Sequence, residues 1–122
     1  MKVLMIDDSD LALEFQQMLL ERAGLEVQGC LDIEEVTDVL DEFEPDVVLA
    51  DVNMPDIETD ELVKWLRSQE PLEGVPIILC SGMEADDLRE IAEKCGADGS
   101  VSKADGLKEL PNRLKGMMEN GW

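Results

Sequence analysis

The chain's 122 residues suffice for one domain with a real core and not for two ordinary ones, and 44% hydrophobic against 33% charged residues excludes a disordered chain. Thirty acidic against ten basic residues give a net charge of −20, which disfavours nucleic acid and anionic membranes as partners and favours basic ones. The absence of histidine removes the commonest general base and excludes a phosphohistidine carrier, while the scattered Cys30, Cys80 and Cys95 offer neither a disulfide framework nor CxxC zinc spacing.

In chain order, short apolar runs alternate with longer amphipathic stretches. Residues 2–6 (KVLMI) read as a strand, and Leu11, Phe15, Met18 and Leu19 follow at helical spacing, expected to face the core. A second strand is expected over 25–30 (LEVQGC). The next helix opens on Asp32-x-x-Glu35, a capping-box spacing, ahead of Val36, Val39, Leu40 and Phe43. Residues 46–50 (DVVLA) make a third strand, Leu62, Val63 and Leu66 a third helical face, and 76–80 (PIILC) a fourth strand. Leu88, Ile91, Ala92 and Cys95 mark a fourth helix, 99–102 (GSVS) a weaker fifth strand, and Leu110, Leu114, Met117 and Met118 the last helix. Pro111 means that this helix starts near Leu110 or is bent there.

Strands alternating with helices specify βαβ units and a parallel sheet covered on both faces. The expected fold is α/β, a doubly wound, flavodoxin-like (βα)5 domain with five parallel strands in the order 2-1-3-4-5. No linker, repeat or low-complexity segment interrupts it, so residues 1–122 are expected to form a single domain. No apolar run nears the roughly 20 residues of a membrane span, and Met1 leads straight into a strand with no signal-peptide pattern, so a cytoplasmic location is expected.

In such sheets ligands sit beyond the carboxyl ends of the strands. The first strand is followed by Asp7 and Asp8, the third by Asp51, the fourth by Ser81, and the fifth by Lys103. Singly, each has a plain structural use: an aspartate as a helix cap, a serine in a turn, a lysine on the surface. Together they make a constellation. With strands one and three adjacent, three carboxylates converge, and they must share protons or bind a cation. All-oxygen donors favour Mg²⁺, Mn²⁺ or Ca²⁺ over zinc. A hydroxyl and a fixed ammonium opposite Asp51 are what an anionic group carried there would need, so Asp51 is the expected nucleophile forming an acyl phosphate.

These residues, in the stretches IDDSD (6–10), DVVLADVNMPD (46–56), PIILCSG (76–82) and GADGSVSK (96–103), resemble a response regulator receiver domain over essentially the whole chain. The resemblance implies phosphoryl transfer to Asp51 from a phosphohistidine on a sensor histidine kinase or histidine phosphotransfer protein. It implies Mg²⁺, with Mn²⁺ as a substitute, held by Asp8 and Asp51, by Asp7 through water, and by the main-chain carbonyl of Asn53. Ser81 would bind phosphoryl oxygens and Lys103 would pair with the acyl phosphate. The only chemistry implied is the domain's own phosphorylation and dephosphorylation, with output through contact with a downstream protein.

The sequence departs from the family pattern away from these residues. Ser100 stands where an aromatic switch residue is common, Ala104 where proline follows the lysine, Asp105 where phenylalanine is common, and Thr59 where glycine is usual. The missing aromatic motivates an alternative, a receiver-like docking module acting without phosphorylation. A haloacid-dehalogenase-like phosphohydrolase would need an acid two residues past the nucleophile, where this chain has Asn53. A flavodoxin would need donors for a flavin phosphate where this chain has acidic DDSD.

Overall fold

A computed structural model describes residues 1–104 and 106–121; Asp105, noted above, and Trp122 lie outside the described residues. The elements are β1 (Lys2–Ile6), α1 (Asp10–Arg22), β2 (Glu26–Cys30), α2 (Ile33–Phe43), β3 (Val47–Asp51), α3 (Thr59–Ser68), β4 (Ile77–Ser81), α4 (Ala85–Cys95), β5 (Gly99–Ser102) and α5 (Leu110–Asn120). Short 3-10 turns at Glu70–Leu72 and Leu107–Glu109 precede β4 and α5. All strand pairs are parallel, in the order β2-β1-β3-β4-β5. The five strands and their order are those expected; β1 and β5 have the expected bounds, and those of β2, β3 and β4 shift by a residue, so that Asp51 and Ser81 are the last residues of their strands.

The period-2 alternation of the strands divides the core into two layers. Leu4, Ile6, Val48, Ala50, Ile77 and Leu79 pack with α2, α3 and α4 on one face of the sheet. Val3, Met5, Val47, Leu49, Ile78 and Cys80 pack with α1 and α5 on the other. Because both faces are covered, the central strands are apolar at nearly every position, which is why their sequences read as continuous runs.

Local signals set the helix ends. Ser9 caps α1 by accepting the Ala12 N–H at 3.3 Å, and Asp32 caps α2 by accepting the Glu35 N–H at 2.9 Å. Glu35 reaches back to the Leu31 N–H, so the capping box closes one residue earlier than in its usual form. Gly96 ends α4 at φ 77°, a left-handed conformation that glycine adopts without steric cost. Pro111 lies in the first turn of α5, where its missing N–H costs no helical hydrogen bond.

The expected core face of α1 is wrong. Leu11 is 78% exposed, Phe15 46% and Met18 38%, while Leu13, Gln16 and Leu20 face the sheet. Two stripes at helical spacing run along this helix, and the more apolar one faces solvent. Gly29 on β2 helps to fix the seating, since a Cβ there would stand 3.0 Å from the Leu13 side chain. The expected faces of α2 to α5 are buried or packed against the core. Among the described residues, no helix is long and apolar enough to cross a membrane.

Candidate functional site

Strand register brings the polar residues to one edge. Ile6 is level with Ala50, Asp51 with Cys80, and Ser81 with Ser102. Asp7 therefore follows β1 beside Asp51, and Lys103 follows β5 one step past Ser81. The ladder continues at that step, as the Lys103 N–H donates to the Ser81 carbonyl at 2.7 Å. Asp7, Asp51 and Lys103 continue the strand positions that face α1 and α5.

Asp7, Asp8 and Asp51 each offer an oxygen within 4.8 Å of the others, with Asp7 buried, Asp51 half-buried and Asp8 exposed. The Lys103 ammonium lies 3.7 Å from Asp7 Oδ2. Burial pushes the Asp51 carboxyl above the ordinary carboxylate range, and the Asp7 charge adds to this. Lys103 opposes the shift, Asp8 reinforces it, and the Asn53 N–H, donated to the carboxylate, opposes it again. Three carboxylates against one ammonium leave an excess of negative charge that a hard divalent cation would neutralise with oxygen donors alone. The donor set fits Mg²⁺.

Ser81 is buried, and its Oγ accepts the Met83 N–H at 3.2 Å, a turn-type contact rather than one to the carboxylates. Asn53 is exposed and meets Asp51 through its N–H; its carbonyl is the group for which a ligand role is expected. Ser100 is half-buried and lines a groove of about 650 Å³ between α4, β5 and α5.

The contacts of three residues at or near the site escape a sequence reading. Gln16 is buried on α1 and donates through Nε2 to Asp7 Oδ2 at 3.1 Å. A glutamine midway between Leu13 and Leu20 was its one available signal. Thr59, at the position expected to hold glycine, donates its hydroxyl to the Val52 carbonyl at 2.7 Å and ties α3 to the loop after Asp51. Ser102 is buried, donates to the Met83 carbonyl at 2.6 Å and accepts the Ala104 N–H at 3.1 Å, while its carbonyl accepts from Arg113 at 3.1 Å. It joins the loop that follows Ser81 to the one that carries Lys103.

Comparison with known proteins follows the same lines. Residues 3–115 match the family model of the response regulator receiver domain. The chain is 37% identical to the response regulator GacA of Pseudomonas aeruginosa over 117 residues, 93% of this chain and 53% of GacA. It is 27% identical to the polar-differentiation response regulator DivK of Brucella ovis over 113 residues, 93% of this chain and 92% of DivK. It thus spans about half the length of one relative and nearly all of the other. The chemotaxis response regulator CheY4 of Vibrio cholerae superposes with a TM-score of 0.79 at 29% identity, over 93% of this chain and 95% of that one.

Proposed function

Because the chain belongs to the response regulator receiver domain family, we propose that residues 1–122 act as one receiver domain, phosphorylated on Asp51 in a Mg²⁺-dependent reaction. The observation that carries this reading is the meeting of the Asp7, Asp8 and Asp51 oxygens beside the Lys103 ammonium. An Asp51 oxygen forms a bond to phosphorus as the P–N bond of a phosphoimidazole breaks. The bonding pair stays on the ring nitrogen, and the imidazole leaves neutral after taking a proton from solvent. Catalysis of this kind is mostly positioning and charge neutralisation. Mg²⁺, when bound, supplies neutralisation of the phosphoryl and carboxylate oxygens; Asp8, Asp51 and the Asn53 carbonyl would hold it, with Asp7 acting through water.

This chain's own groups do the rest. Lys103 leaves Asp7 to pair with a phosphoryl oxygen, and the Ser81 hydroxyl turns from the Met83 N–H to donate to another. Turning Ser81 disturbs the Met83 loop and, through Ser102, the start of α5, which gives phosphorylation a route to the surface. The domain then acts on no substrate but itself. The exposed stripe of Leu11, Phe15 and Met18 starts three residues past Asp8, so a phosphodonor protein seated on it, a histidine kinase or histidine phosphotransfer protein, would deliver its phosphoryl group at Asp51. Output goes to a downstream protein partner in the cytoplasm.

Acetyl phosphate with Mg²⁺ should add one phosphoryl mass to the wild type, absent when EDTA is present from the start and absent from Asp51→Asn. Stoichiometric labelling of Asp51→Asn would refute the assignment. Ser100, open to its groove instead of filling it with an aromatic ring, favours a second reading, docking without phosphorylation. Partner affinity that is equal with and without beryllium fluoride would select it.

A further inference from the structure

Gln16 has no part in the chemistry above, yet it is one of only four buried polar residues among those described, with Asp7, Ser81 and Ser102. It is 2% exposed in the middle of the α1 face that packs on the sheet, and its neighbours on that face are Leu13 and Leu20. Placing an amide there in place of a third leucine gives up the transfer free energy of an apolar side chain, so the amide needs a partner. Its partner is Asp7, which accepts the Gln16 Nε2 proton on Oδ2 at 3.1 Å and the Ser9 N–H on Oδ1 at 3.0 Å. Both oxygens of this carboxylate are therefore held by neutral donors from α1 and its cap, and Lys103 approaches the same Oδ2 at 3.7 Å.

We propose that Gln16 is a positioning residue for the cation site. Its amide fixes the Asp7 carboxylate, at no cost in positive charge, in the orientation that keeps an oxygen within 4.8 Å of those of Asp8 and Asp51. This rests on the reading of the acidic cluster as a Mg²⁺ site. Two donors matter because Lys103 is needed elsewhere: when the ammonium turns to a phosphoryl group, Asp7 would be free to rotate unless Gln16 and Ser9 held it. The seating of α1 against Gly29 fixes the donor in turn, since Leu13, one helical turn before Gln16, comes within 3.0 Å of where a Cβ on residue 29 would lie. Outer-shell partners of this kind are commonly worth about 10–100-fold in metal affinity.

The test is Mg²⁺ titration of the full chain by calorimetry and by side-chain amide NMR. In the wild type, the Gln16 NH₂ signals should shift with the same midpoint as the Asn53 backbone amide, because the ion draws charge from the oxygen to which Gln16 donates. Gln16→Met, of similar volume but without a donor, should weaken Mg²⁺ binding about tenfold, while Leu20→Ala, on the same buried face, should lose stability and keep its affinity. Unchanged affinity in folded Gln16→Met overturns the proposal. So do Gln16 signals that stay still while Asn53 moves, a result that does not require any variant to fold. A wild type that binds no Mg²⁺ overturns the metal reading and the proposal together, and is told apart by the silence of Asn53.

Discussion

Asp51→Asn should make the metal-free protein more stable at neutral pH. At 4.8 Å and an effective dielectric of about 20, two carboxylates repel by about 3 kcal/mol. That figure suits the pair with buried Asp7; for exposed Asp8, solvent screening brings it nearer about 1 kcal/mol. Lys103 and the Asn53 N–H cancel the greater part, and a net gain of about 1–2 kcal/mol is expected on removing the Asp51 charge. For a chain of this size that raises the melting temperature by about 3–8 °C. Asp51 has a folded-state pKa above its unfolded one, because of burial and then Asp7, so its ionisation costs stability as pH rises through the folded value. The gap between variant and wild type should therefore widen as pH rises and close as pH falls toward the unfolded value of about 3.9. Thermal melts followed by circular dichroism in EDTA, across pH 4 to 8, read this directly. Added Mg²⁺ should raise the wild type and leave the variant nearly unmoved. A variant that melts at or below the wild type in EDTA at neutral pH, with native circular dichroism, would refute the electrostatic account.

Two further outcomes are expected. Thr59→Val removes the hydroxyl donated to the Val52 carbonyl and should cost about 1 kcal/mol, seen as a lower urea midpoint at unchanged slope. Burial pushes the Cys80 thiol up to about 11 and the Cys30 thiol, which also faces Glu35, Asp32 and Asp38, up to about 12. Mass spectrometry after iodoacetamide treatment of the native protein at mild alkaline pH should find Cys95, the one cysteine that is not fully buried, modified first and the other two only after unfolding.

The fold and the acidic cluster were both legible in the sequence, for reasons that lie in single segments. A strand covered on both faces must be apolar along its length, so runs such as VVLA announce themselves, and a carboxylate closing such a run marks the edge where the sheet meets solvent. Strand order follows from how βαβ units pack, and with the order given, Asp7, Asp8 and Asp51 can only converge. The helices α2 to α5 were readable because each carries a single apolar stripe.

On α1, a pattern could not choose. Leu11, Phe15 and Met18 match helical spacing as well as Leu13, Gln16 and Leu20 do and are apolar throughout, yet the second set is buried. The rotation of that helix is set by distant groups: Gly29 on β2, which leaves room for Leu13, and Asp7, which needs the Gln16 amide. The same holds for Lys103, which follows β5 yet meets Asp7 after β1 with β3 and β4 between their strands, and for Ser102, which becomes a junction only because two loops from different strands pass it. Sequence alone determined which elements form, their order and the presence of the carboxylates, because those depend on local burial and backbone preference. Only tertiary structure decided which face of α1 turns inward and which donors reach the acids, because hydrogen bonds act over about 3 Å between groups that the chain keeps far apart.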